Sequence, residues 1–249
     1  MFSPPKRRPA STSLRPICNI TQTINFSGAI MNFTLTLNIT PKDLNVIFDA
    51  RQKVALAKPV SNSSANVIWT AFAPFEHNSI QWSEEYWIYV STSSANKNGE
   101  QIKKMSQTHP GPAITGSIYT FDQKSGFSQP VRDPNVGADT FAAQNDMPYD
   151  QYPSLTFGLA QSVLVNQKIE EQNPISAASV LATQQIQETP CSNVYIWLES
   201  DFGSGTIITA DTDAKRLKNV NGKKSVAKFG GGVNKIEMTY DGKSGLFLQ

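Results

Sequence analysis

The sequence predicts an all-β fold: two tandem, related β-sandwich-like units with few or no helices. Three observations predict it. Apolar and polar residues alternate over short runs bounded by Gly, Pro, Asn and Ser, the pattern of half-buried strands. Only 17% of the 249 residues are charged, where ~25% is usual, and Ser, Thr, Asn and Gln fill the difference, which suits polar sheet faces. A seven-residue sequence recurs: Thr120-Phe121-Asp122-Gln123-Lys124-Ser125-Gly126 and Thr239-Tyr240-Asp241-Gly242-Lys243-Ser244-Gly245 agree at five positions, with Phe/Tyr a similar sixth.

Residues 1–30 read as a disordered, basic, Pro/Ser-rich tail. The first acidic residue is Asp43, and Lys6, Arg7, Arg8 and Arg15 precede it. The composition is like that of an organelle transit peptide, but Pro4, Pro5 and Pro9 break an amphipathic helix. No apolar core of a secretory signal follows, so a cytoplasmic or non-classically secreted protein is expected. The first sandwich unit spans 31–127. In it Phe33, Leu35 and Leu37 share one strand face, Val54 and Leu56 begin another run, and Asn66–Ala73, Tyr86–Ser91 and Ser117–Phe121 are strand-like. Residues 128–152, with Pro130, Pro134 and Pro148, read as a linker or crossing loop. The second unit spans 153–249, with strands over Ser192–Glu199, Thr206–Ala210 and Val233–Tyr240; Ala177–Glu188 is left undecided between helix and strand. Asn66-Val67-Ile68-Trp69 echoes Asn193 to Trp197, and Phe33–Thr36 echoes Pro153–Thr156, in the same order as the longer match. Each Asp-x-Lys-Ser-Gly is expected to be a turn. It lacks the upstream glycine and following helix of a phosphate loop.

Several function classes find no support. No apolar run approaches the ~18–20 residues of a membrane-spanning helix. Two cysteines and two histidines are too few for a disulfide-dense scaffold or a Cys/His zinc cluster. Cys18 and Cys191 read as free thiols, which favours a reducing compartment. Sequons occur at Asn19, Asn25, Asn32, Asn38 and Asn62. His77 has Glu76, Glu84 and Glu85 nearby, but no nucleophile elbow or His-Glu-x-x-His is present, so no catalytic residue is assigned and enzyme activity stays uncertain. Asp201, Asp211 and Asp213 read as a solvated loop, so no metal and no cofactor is expected. The run Lys215, Arg216, Lys218, Lys223, Lys224 and Lys228 reads as a lysine-bearing hairpin around Asn221-Gly222, and no nucleic-acid partner is expected.

The aromatic cluster is the strongest functional signal. Trp69, Phe72, Phe75, Trp82, Tyr86, Trp87 and Tyr89 crowd into one stretch. Strand alternation sends at least half of them inward, Trp69 first. Trp82 and the Tyr86-Trp87 strand have no aromatic counterpart in the second unit, which nominates them for function rather than fold. The candidate binding residues are Trp82, Tyr86, Trp87, His77 and Asn78. Flat aromatic faces with polar edges stack on sugar rings and also suit membrane interfaces. The expected function is therefore non-catalytic binding of a carbohydrate or glycoconjugate. The alternative is a membrane-active, cytolysin-like protein that binds lipid headgroups, and an enzyme of unknown reaction comes third. Low-charge edge strands also allow a homo-oligomer.

Overall fold

Alternation becomes structure first in β1 (Asn32–Asn38), whose Phe33, Leu35 and Leu37 turn inward and whose Thr34, Thr36 and Asn38 turn outward. The computed structural model describes residues 32–61, 63–124, 126–209 and 224–249. The basic tail, the sequons at Asn19, Asn25 and Asn62, Asp211, Asp213 and most of the lysine run lie outside the described residues.

The described chain is nearly all β, with one helix. That helix, α1 (Pro41–Asp49), was not expected. Its signal is a start sequence: the Thr40 hydroxyl accepts from the Asp43 amide at 3.2 Å, and Pro41 opens the first turn, where its missing N–H costs nothing. The strands then run β2 (Lys53–Ala57), β3 (Thr70–Phe72), β4 (His77–Ser83), β5 (Trp87–Ser91), β6 (Lys104–Gln107), β7 (Ser117–Asp122), β8 (Gly126–Phe127), β9 (Val131–Arg132), β10 (Phe141–Asn145), β11 (Ser154–Val165), β12 (Lys168–Pro174), β13 (Ala178–Leu181), β14 (Gln185–Glu188), β15 (Asn193–Glu199), β16 (Ser225–Lys228), β17 (Lys235–Asp241) and β18 (Leu246–Leu248). The undecided segment 177–188 is thus two strands, β13 and β14. Segment 128–152 carries β9 and β10; of the expected strand Thr206–Ala210, Thr206 and Ile207 form isolated bridges to Gln101 and Val67, and Ala210 lies outside the described residues.

Three sheets result. Nine strands form the largest, in the order β18-β17-β1-β4-β11-β5-β6, with β12 and β13 also paired to β11. Five form β14-β10-β7-β8 with β9 beside β7, and four form β16-β15-β2-β3. Strands from 31–127 and from 153–249 are interleaved: β1 lies between β17 and β4, and β2 lies between β15 and β3. One core draws on all three sheets, including Leu35, Leu37 and Ile80 from the first, Tyr119 and Phe141 from the second, and Leu56 and Ile196 from the third.

The two copies of the recurrent sequence take up the same local form. In β7-β8 the Lys124 amide donates to the Asp122 carboxylate at 2.7 Å; in β17-β18 the Lys243 amide donates to the Asp241 carboxylate at 3.2 Å. Gly126 and Gly245 have φ of 70° and 71°, a conformation that glycine adopts without a Cβ clash. Each turn closes an aromatic pair tilted by 55°, Phe121 with Phe127 and Tyr240 with Phe247. The hairpins belong to different sheets, and each has a parallel neighbour on its other side, β10 for β7 and β1 for β17.

Cys191 corrects the free-thiol reading: it is buried and disulfide-bonded. The other cysteine in the sequence, Cys18, lies outside the described residues. The argument for a reducing compartment falls with it.

Candidate functional site

Period-2 geometry divides the predicted site residues between two faces. On β4, Asn78, Ile80 and Trp82 point inward while His77, Ser79 and Gln81 point outward. Trp82 is therefore core rather than platform. It stacks on Phe33 at 5.6 Å and meets Trp69 and Phe229 edge-on at 5.5 and 5.0 Å. Tyr86 is buried as well, against Phe141. Trp87 is half-buried and packs on a smaller cluster containing Val67, Tyr89 and Ala160. His77 is exposed and Asn78 is buried. The cluster thus splits: Trp82 and Tyr86 are buried in the main core, and Trp87 is half-buried on the smaller cluster.

Trp82 and Tyr86 instead wall in a lysine that the sequence reading passed over. Lys58 follows β2 and is only 1% exposed. Its Nζ lies 5.3 Å from the Trp69 ring centroid, 5.4 Å from Trp82 and 5.5 Å from Tyr86, so three aromatic faces share one ammonium-type group. Nζ donates to Gln161 Oε1 at 2.8 Å and to the Tyr86 hydroxyl at 3.3 Å, and Glu84 Oε1 stands 3.7 Å away. The Tyr86 hydroxyl donates in turn to Glu84 Oε2. Burial pulls the Lys58 amine below its ordinary range, and Glu84 opposes the shift. Burial, followed by the Glu84 charge, pushes the Tyr86 phenol well above its own. A signal was present: Lys58 interrupts the run Val54-Ala55-Leu56-Ala57-Lys58-Pro59-Val60, all of which is buried.

The opposite face of the same sheet is a polar grid. Antiparallel register places His77 across from Asn38, Ser79 from Thr36 and Gln81 from Thr34; parallel register adds Lys235, Glu237 and Thr239 on β17. His77 Nδ1 and Asn38 Oδ1 are 2.9 Å apart, and Asn38 Nδ2 donates to Glu237 Oε1 at 2.6 Å. With its amide engaged by Glu237, Asn38 presents Oδ1 to His77 and accepts the Nδ1 proton. Two residues before His77 stands Phe75, 60% exposed. Asn78 holds it there: its Oδ1 accepts from the Phe75 amide at 2.8 Å and its Nδ2 donates to the Phe75 carbonyl at 2.7 Å. Two predicted residues, His77 and Asn78, therefore serve one surface, the first directly and the second by shaping the turn. Phe75 was in the aromatic cluster but was not among the expected site residues.

A second buried ionisable group lies beyond β11. Glu188 is buried and accepts from the Ser176 hydroxyl at 2.8 Å, and that hydroxyl accepts from the Leu159 amide at 2.8 Å. Burial raises the Glu188 carboxyl to about 7. The folded chain thus holds this proton more tightly than the unfolded chain. The contribution of this group to stability is fully present below the ordinary glutamate value near 4.5, is lost as the pH rises through it, and levels off above about 7. Glu188→Gln, which keeps an acceptor for Ser176, is expected to remove that slope and to gain ~3 kcal/mol over wild type at pH 8. Urea titrations at pH 4, 6 and 8 check this, and parallel curves for the two proteins would refute it.

Among the described residues, no three His, Cys, Asp or Glu side chains converge as metal ligands, and no helix is long and apolar enough to cross a membrane. Set against protein-family models, curated proteins and solved structures, the chain gives no match.

Proposed function

We propose that the chain is a non-catalytic binding protein whose β4-β1-β17 face recognises a carbohydrate. The observation that carries this reading is the hydrogen-bonded row His77–Asn38–Glu237 on the exposed face, with the exposed Phe75 two residues before His77. Sugars need both halves of such a surface: an apolar ring for the C–H face, and fixed donors and acceptors for the hydroxyls. The grid supplies hydroxyl, amide, imidazole and carboxylate groups from adjacent strands, already ordered by their bonds to one another. Binding of the purified chain to a glycan array is the test. Phe75→Ala and His77→Ala are each expected to weaken saturable binding about tenfold, ~1.4 kcal/mol, with little change in the melting midpoint. Absence of binding across a broad array, or full binding by Phe75→Ala, removes the proposal.

A second reading, attachment to lipid headgroups, is favoured by one observation. Val46 and Phe48 of α1 are 62% and 47% exposed, and the hydrogen bond from Ile39 N to Glu76 O places the lead into α1 beside the Phe75 turn. Vesicle binding that sugars do not compete, lost in Phe48→Ala but kept in His77→Ala, would select this reading.

A further inference from the structure

We propose that Lys58 and Gln161 become joined by an intramolecular isopeptide bond that the folded chain forms on itself. The reacting groups come from separate parts of the fold and meet in its core. Lys58 follows β2, Gln161 sits in β11, and Glu84 follows β4. Lys58 Nζ is 2.8 Å from Gln161 Oε1. A carbonyl bond is ~1.23 Å long, so the carboxamide carbon is at most ~4 Å from Nζ, close to the ~3–3.5 Å of a near-attack contact.

The carboxamide is fixed at every end. Gln161 is fully buried, its Nε2 donates to the Ser83 carbonyl at 2.6 Å, and its own backbone carbonyl accepts from Trp69 Nε1 at 3.0 Å. The β11-β12 pairing slips between Gln161 and Val163. Two obstacles normally prevent a lysine from attacking an amide: the amine is protonated, and the partners are not held together. Here burial disfavours the charged amine, and packing against Trp69, Trp82 and Tyr86 holds the partners in place.

The balance is simple. Glu84, as carboxylate, takes a proton from the Lys58 ammonium. The neutral Nζ adds to Gln161 Cδ, and the Cδ–Nε2 bond breaks. Glu84 returns the proton to the leaving nitrogen, with the Tyr86 hydroxyl bridging Nζ and Glu84. A second Nζ proton follows, so the nitrogen leaves as ammonium, Glu84 is again a carboxylate, and the product is a secondary amide. No oxidant, reductant or cofactor is needed. The new bond would tie the four-stranded sheet to the nine-stranded one across a separation of 103 residues.

Mass spectrometry of the purified, reduced full-length chain tests this. The expected intact mass lies below the sequence mass by one ammonia, about 17 Da. Trypsin does not cut at Lys58, which precedes Pro59, so the linked product is one branched species made of peptides 54–97 and 133–168. Glu84→Gln is expected to release the two peptides separately. Wild-type protein with the full sequence mass and two unlinked peptides overturns the proposal. So does an ammonia loss that leaves those peptides separate, such as succinimide formation at Asn98-Gly99 or Asn221-Gly222. Undiminished linkage in Glu84→Gln overturns the proton-carrying role given to Glu84.

Discussion

Trp82→Ala is expected to lower the unfolding free energy by about 3–5 kcal/mol, the range for removing a large buried aromatic side chain. Trp82 is 4% exposed and contacts three other rings. It also forms one wall around Lys58, so its loss opens space beside a buried amine as well as leaving a cavity. Trp82→Phe should cost far less. It keeps a ring on Phe33, and it removes the indole Nε1, a buried donor that has no hydrogen-bond partner among the described residues. Urea denaturation of both variants is the measurement. An alanine variant within about 1 kcal/mol of wild type would contradict a core position and return Trp82 to the surface role that the sequence suggested.

Gly158→Ala should be the most damaging single-methyl change in the protein. Gly158 pairs with Tyr89 inside β11, and a Cβ there would overlap the Ser176 carbonyl oxygen and lie 2.8 Å from its carbon and 2.9 Å from Tyr89 Cε1. Neither neighbour can yield cheaply. The Tyr89 hydroxyl donates to that same Ser176 carbonyl at 2.6 Å, Ile175 N donates to the Leu159 carbonyl at 2.8 Å, and the Ser176 hydroxyl is held by Leu159 and Glu188. Overpacking usually costs about 1–3 kcal/mol. Because the clash is with pinned backbone, the upper end or beyond is expected, or no soluble folded protein at all. A variant that melts within about 2 °C of wild type would show that the 174–177 segment moves freely.

Strands with one wet face were legible in the sequence, and strands buried on both faces were not. Phe33, Leu35 and Leu37 announced β1 because Thr34, Thr36 and Asn38 alternate with them. β11 is the longest strand, yet only its first residues attracted notice. Residues 155–161 are buried on both faces, so Leu155-Thr156-Phe157-Gly158-Leu159-Ala160-Gln161 shows no period of two. Helix α1 is too short for a convincing helical period, and only its Thr40-Pro41 start marks it.

The candidate site shows the same limit. Trp82 has no aromatic counterpart in the second half of the chain, but the local pattern His77-Asn78-Ser79-Ile80-Gln81-Trp82 places it on the side of Ile80. No local pattern says what stands opposite a residue. The meeting of Lys58 with Gln161, and of Asn38 with Glu237 199 residues away, depends on sheet register alone.

The parallel pairing of β1 with β17 bears on how the protein is made. Thr34 waits for Lys235, a partner about 200 residues downstream. At ~5–20 residues per second, a ribosome needs about 10–40 s to deliver it. During that interval β1 can pair with β4 only, and its other edge stays open for association with another chain. Residues 235–249, which supply β17 and β18, therefore seal that edge, and a chain cut just before them would keep an unsealed sheet.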